Sequence, residues 1–267
     1  IGEGDPALLF VHGYGTAPSV YQDMAPLLSE RGAYCKALRL PGFGVPLEKS
    51  RSVEAQEWVA EIHHHVQQLN REHKHVWIVA HSLGGAVTLH YLLNAHPDAS
   101  VDGVVLLAPA VRVSGERSPL VSPRKWFGFW ENCLLFTDMV KNGLPVRGHD
   151  PRVKEKMVRS KFVPQNIFKQ LFEVIAAIEK GERDLKRPLL LVLADQDTVV
   201  DNERAAELFK KLKTPRRELV RLEKSHHIIP LDSGMERTVR AIDKFVLSES
   251  AHRQKESAAK AETNQQK

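Results

Sequence analysis

Val79-Ala80-His81-Ser82-Leu83-Gly84-Gly85 is the stretch whose reading decides the fold. It follows a short apolar run, Val76-Trp77-Ile78-Val79-Ala80, and precedes a helical pattern, Ala86-Val87-Thr88-Leu89-His90-Tyr91-Leu92-Leu93. The order is a strand, a sharp turn carrying one serine, and a helix. Its spacing fits the nucleophile-elbow pattern G-x-S-x-G, with Ala80 in place of the first glycine. A serine pushed out of a sheet on a strained turn needs small neighbours, because a side chain larger than a methyl at Ala80 or Gly84 would meet backbone. A helix starting at Leu83 also turns unpaired N–H groups toward any carbonyl held above the serine. Taken alone, the motif fits an ordinary N-cap serine as well. The surrounding chain separates the two.

Outward from this point, apolar runs alternate with amphipathic stretches, as in a parallel sheet covered by helices. Ala7 to Val11 is a buried strand ending in His12-Gly13-Tyr14-Gly15, and Tyr34 to Leu40 is a second, closed by Pro41-Gly42-Phe43-Gly44. Helical spacing runs from Val20 to Arg31 and from Ser52 to Arg71, and a strand from Val101 to Ala108. Between Val111 and Arg187 apolar strands vanish. Aromatic-rich helical patterns broken by prolines replace them, and the segment reads as a helical insertion. The sheet resumes at Leu189 to Ala194, followed by a helix (Glu203 to Leu212), a strand (Arg217 to Leu222) and a last helix (Gly234 to Leu247). The expected organisation is an α/β core over 1–110 and 188–250, a helical cap over 111–187, and a polar tail, 251–267, that is disordered or frayed.

The chain has 267 residues, enough for one substantial domain with an insertion. Hydrophobic content of 42% and charged content of 27% are ordinary for a globular protein. The net charge of +5 is dispersed, with no basic stripe interleaved with aromatics, which argues against a nucleic-acid partner. No window is apolar for long enough to make a transmembrane helix. No signal peptide is visible, although the chain opens on Ile1 rather than Met. Cys35 and Cys133 lie far apart without metal-ligand spacing and read as free thiols of a reducing compartment, which points to the cytoplasm. His63-His64-His65 face three directions on a helix and cannot converge on one ion, so no metal is expected.

A serine hydroxyl needs a base to take its proton, and the base needs a third group to orient it. The strand at Leu189 to Ala194 runs straight into Asp195-Gln196-Asp197-Thr198-Val199-Val200-Asp201, which offers three acids. The last strand leads to Glu223-Lys224-Ser225-His226-His227, which offers two bases. In an open parallel sheet ligands collect at the carboxyl ends of the strands, so these groups converge on the serine from separate strand ends.

On the stretches LLFVHGYG, LPGFGVP, VAHSLGG, PLLLVLADQDTVVD and SHHIIPLD, the chain resembles the serine hydrolases of the α/β-hydrolase superfamily, above all compact bacterial carboxylesterases and monoacylglycerol lipases. The resemblance spans Ala7 to Leu247. It implies an α/β-hydrolase fold, a mostly parallel sheet flanked by helices, here with an inserted helical cap. It also implies Ser82 as nucleophile, Asp197 as the acid and His227 as the base. Tyr14 and Leu83 then supply the two backbone N–H groups of the oxyanion hole. HGYG could otherwise be a plain flexible turn.

The reading is a serine esterase for carboxylic esters with an apolar acyl chain, acting through an acyl-enzyme on a small-molecule ester or acylglycerol, with no cofactor. Trp126, Phe129 and Trp130 are candidates for lining the acyl pocket beneath the cap. A thioesterase, an aminopeptidase or amidase, or a C–C bond hydrolase would use the same three residues. A ligand-binding protein of this fold would not need all three.

Overall fold

Most of the apolar runs become strands of one sheet because they can be buried on both faces. A computed structural model describes residues 1–114, 139–141, 147–149, 153 and 162–247. Its strands are β1 (Ala7–Val11), β2 (Tyr34–Leu38), β3 (Val76–His81), β4 (Gly103–Leu107), β5 (Met139–Lys141), β6 (Phe162–Pro164), β7 (Leu189–Ala194) and β8 (Arg217–Leu222). Six of them form the sheet in the order β2-β1-β3-β4-β7-β8, and every neighbouring pair is parallel. Strands β1, β3, β4 and β7 are buried at every residue, whereas the edge strands β2 and β8 carry exposed positions. That contrast is expected of a sheet covered by helices on both faces.

Register brings the strand ends level. Val11 pairs with Ala80, His81 with Leu107 and Ala194 with Leu222, so the loops opening at His12, Ser82, Ala108, Asp195 and Glu223 share one edge. The order reverses between β1 and β3. Ligands collect beside such a reversal in open parallel sheets, and here the His12 loop and Ser82 flank it.

The helices are α1 (Met24–Ser29), α2 (Leu47–Ser50), α3 (Ala55–Glu72), α4 (Leu83–His90), α5 (Gln165–Lys180), α6 (Asn202–Lys211) and α7 (Met235–Ile242). Two of the departures from the pattern-based expectation have clear reasons. Helix α3 begins at Ala55, not Ser52, because Glu54 and Glu57 form a reciprocal capping box at its entrance. Its apolar face, Trp58, Ile62, Val66 and Leu69, is buried, worth about 1.5–3 kcal/mol per large side chain. The helix expected over Val20 to Arg31 is a 3-10 turn, Pro18–Tyr21, followed by the short α1. Pro26 lacks an N–H and crowds the carbonyl four residues before it, so one continuous helix cannot run through it.

The insertion was expected to be a helical cap, with no strands of its own. Among its described residues, β5 and β6 instead pair antiparallel, Val140 opposite Val163. Three-residue strands are too short to show a period. Helix α5 packs on α4, and its Ile167, Leu171, Val174 and Ile178 are buried. Gln170 Oε1 accepts from Ala55 N at 2.7 Å, and Asn166 Nδ2 donates to Val53 O at 2.6 Å, tying α5 to the start of α3. Trp126, Phe129, Trp130, Cys133 and the tail 251–267 lie outside the described residues. Among the described residues no helix is long and apolar enough to cross a membrane.

Candidate active site

Ser82 stands between β3 and α4 with φ 52° and ψ −117°, a conformation that costs a non-glycine residue energy. Its surroundings hold it there. Its N–H donates to Leu107 O at 3.0 Å, and its carbonyl accepts from Ala86 N at 3.1 Å and Ala110 N at 2.9 Å. A Cβ at Gly84 would sit 2.5 Å from Val11 O and 2.6 Å from His12 O. Those atoms are backbone and cannot rotate away. Gly84→Ala is therefore expected to cost about 1–3 kcal/mol of stability by overpacking and to displace the His12 loop. Thermal denaturation checks this, and an unchanged Tm would contradict it.

His227 Nε2 lies 2.9 Å from Ser82 Oγ, and His227 Nδ1 lies 2.7 Å from Asp197 Oδ2. The other oxygen, Asp197 Oδ1, accepts from Val199 N at 2.7 Å and Val200 N at 3.2 Å. An ionised carboxylate only accepts, so the imidazole proton sits on Nδ1 and the lone pair of Nε2 faces the serine hydroxyl. Burial alone would push the Asp197 carboxyl up. The adjacent His227 and the two backbone N–H groups outweigh it and hold the carboxyl below the usual carboxylate range. The arrangement can take a proton from Ser82 and stabilise the imidazolium that results. Asp195 instead pairs with Arg221 at 3.1 Å, and Asp201 caps α6 through Arg204 N. His226 Nδ1 lies 3.5 Å from Asp232.

The loop after β1 passes so close that a Cβ on Gly13 would be 3.0 Å from Ser82 Cβ. Gly13 O accepts from Thr16 Oγ1 at 2.8 Å and from Thr16 N at 3.4 Å. His12 Nε2 accepts from Leu40 N at 3.1 Å, so His12 Nδ1 carries its proton and donates to Gly13 O at 2.9 Å. A trans peptide points its C=O and N–H in opposite directions, so fixing this carbonyl also fixes the direction of the Tyr14 N–H. The Tyr14 ring rests on Phe168 of α5 at 4.6 Å and meets Phe43 edge-on at 6.4 Å. Leu83 opens α4, where the first backbone N–H groups have no partner within the helix.

A family model described as serine aminopeptidase, S33, of the Hydrolase_4 type matches residues 2–234. The chain belongs to this family. Its fold is the α/β-hydrolase fold. It is similar to a thermostable monoacylglycerol lipase of Bacillus sp. (strain H-257), 26% identical over 229 residues, covering 86% of this chain and 85% of the relative. It is also similar to a carboxylesterase of Bacillus subtilis (strain 168), 23% identical over 231 residues, covering 86% and 87%. The crystal structure of a Paleococcus ferrophilus monoacylglycerol lipase superposes with a TM-score of 0.76 at 24% identity, over 93% of this chain and 96% of that one.

In this family member, sequence reasoning passed over several residues at the site. His81, the variable position of the elbow, donates from Nε2 to His227 O at 2.8 Å and ties the elbow to the His227 loop. Burial first, and the neighbouring His227 second, hold its pKa down to about 3. His12 is likewise held to about 4, chiefly by burial. Arg112 to Ser114, at the start of the insertion, clip the loop that carries Asp197: Ser114 N donates to Val199 O and Asp201 N to Arg112 O, both at 2.9 Å. These partners are mostly backbone atoms, which leave no signature in sequence. Cys35 is free and buried, with its thiol pushed up to about 12, so it is not a reactive nucleophile.

The two buried neutral histidines make stability acid-sensitive. Unfolded, each binds a proton near pH 6.5; folded, each resists protonation down to about 4 and 3. Their contribution is intact above pH 6.5 and is lost as pH falls from there toward the folded values. Two protons taken up on unfolding correspond to a slope of roughly 2.7 kcal/mol per pH unit. Urea midpoints should therefore hold steady above pH 7 and fall steeply between pH 6 and 4.5. A flat profile over that range would show that neither histidine is held neutral.

Proposed function

We propose that this chain is a serine esterase that hydrolyses carboxylic esters with an apolar acyl chain, of the carboxylesterase or monoacylglycerol lipase type. The observation that carries the reading is the continuous hydrogen-bonded line from Ser82 Oγ through His227 to Asp197, at 2.9 and 2.7 Å. Ser82 Oγ attacks the ester carbonyl while His227 Nε2 takes its proton. The tetrahedral oxyanion is held by the N–H groups of Tyr14 and Leu83. His227 returns the proton to the leaving alcohol, an acyl-enzyme remains, and water activated by the same imidazole releases the acid. No cofactor enters these steps.

The apolar acyl preference is supported by the rings of Tyr14, Phe43 and Phe168 packed beside the oxyanion loop. It is supported also by the names of the two Bacillus relatives. Residues 111–187 act as the cap, and we place Trp126, Phe129 and Trp130 on the acyl pocket. The free, buried Cys35 suits a reducing compartment, which supports a cytoplasmic enzyme.

The family description favours a second reading, an aminopeptidase. One experiment separates the two: hydrolysis of esters with acyl chains from two to sixteen carbons, beside a monoacylglycerol and an aminoacyl amide. Ester turnover that rises with chain length is the expected outcome, and faster cleavage of the aminoacyl amide would overturn the esterase reading. In the same series Trp126→Ala, Phe129→Ala and Trp130→Ala should lower kcat/KM increasingly as the chain lengthens, by roughly tenfold per 1.4 kcal/mol of lost contact. Equal losses for short and long esters would remove these residues from the pocket.

A further inference from the structure

We propose that Asp232 is a positioning residue for the base, and that through it the inserted segment, at His149, helps to hold His227 against Ser82. The proposal rests on the assignment of Ser82 and His227 made above. The side chain of Asp232 is wholly buried. A carboxylate in that position is untenable without hydrogen-bond donors. Its partners include three backbone N–H groups. Oδ2 accepts from His226 N at 2.6 Å, and Oδ1 accepts from His149 N at 2.7 Å and Ser233 N at 2.8 Å. The first of these belongs to the residue immediately before the base. The second belongs to the insertion, 83 residues away in sequence.

The contact closes into a circuit through the His149 ring. Gln196 donates from Nε2 to Glu223 O at 3.2 Å, which turns its Oε1 outward to accept from His149 Nε2 at 2.8 Å. Gln196 is the neighbour of Asp197, and its own N–H donates to Ser225 O at 3.0 Å. The His149 ring also lies 4.7 Å from that of His226. One residue of the insertion thus reaches the neighbour of the acid with its ring and, through Asp232, the neighbour of the base with its backbone. None of these atoms touches Ser82 Oγ or His227 Nε2. They set where the base loop rests, beside the grip of His81 on the His227 carbonyl.

The test uses the full chain and reads the rate of fluorophosphonate labelling at Ser82, kcat and KM for a short soluble ester, and thermal denaturation. In Asp232→Asn, either orientation of the amide turns its NH₂ toward an N–H donor, so the grip on His226 or on His149 and Ser233 is lost. The expected result is a fall of roughly tenfold to a hundredfold in both kcat and labelling rate, with KM changed less than about twofold. His149→Ala and Gln196→Leu remove exposed side chains and keep the Asp232 hydrogen bonds. Each should slow labelling by roughly threefold to tenfold, and the pair together by less than the product of the two. These two variants carry the test if Asp232→Asn does not fold. Folded variants that label and turn over at the wild-type rate, with only a lowered Tm, would overturn the proposal and leave Asp232 a structural residue. Wild-type labelling at Ser82 without ester hydrolysis would sink the substrate reading alone, since the labelling rates still report on the base. A label on another residue would overturn the Ser82 assignment and this proposal with it.

Discussion

Replacing His227 by alanine is expected to lower kcat by roughly 10⁴-fold or more, and Ser82→Ala by a similar factor, because residues that act as a unit fail together. A neutral serine hydroxyl is a poor nucleophile. Here His227 Nε2, the proposed acceptor for its proton, lies 2.9 Å away, and the ring is held by hydrogen bonds at Nδ1 and at the residue's own carbonyl. Ser82→Ala should also abolish labelling by a fluorophosphonate, read by intact mass. His226→Ala is the control that gives the experiment its meaning. Its ring faces Asp232 and His149, while its backbone N–H, which the substitution keeps, makes the shorter contact to Asp232. A loss of less than about tenfold is expected there. A larger loss for His226→Ala than for His227→Ala would move the base by one residue.

Burial decided how much of the fold could be read in advance. Leu189 to Ala194 and Val76 to Ala80 are continuous apolar runs because strands covered on both faces have no polar side to show. Boundaries were harder, since they depend on interactions that periodicity does not sense. The Glu54–Glu57 box moved the start of α3, Pro26 divided the helix after Val20, and β5 and β6 were too short to register.

At the site, the elbow was visible because its glycines answer a steric demand: Gly84 leaves no room for a Cβ against Val11 and His12. The choice between His226 and His227 was not visible in the residues themselves. Neighbouring loop positions have no period, and only the resemblance to known hydrolases separated them. His81 and Gln196 escaped notice, and Asp232 was given no role of its own, for a related reason. Each acts on backbone N–H or C=O groups, which every residue type presents equally. Asp232 does stand in the SHHIIPLD stretch, but a lone aspartate five residues past a histidine carries no chemical pattern until its burial is known.

Asp197→Asn should cost about 10⁴-fold in kcat although it alters only one polar atom and almost no volume. The reason lies in the two amides on the far side of the carboxylate. Val199 N and Val200 N both donate to Oδ1, at 2.7 and 3.2 Å, so an asparagine would keep its carbonyl oxygen there and turn its NH₂ toward His227. Facing a donor, His227 Nδ1 must become an acceptor, and the ring proton moves to Nε2. That proton then points at Ser82 Oγ, and the lone pair that should receive the serine proton is gone. The geometry survives and the base does not. Asp195→Asn touches only the ion pair with Arg221 near the surface and should change kcat by less than about threefold. Measuring kcat and KM of both variants on one soluble ester at neutral pH distinguishes them. A large loss in Asp195→Asn with activity retained in Asp197→Asn would mean that the hydrogen bond at 2.7 Å between Asp197 and His227 is not the one that orients the base.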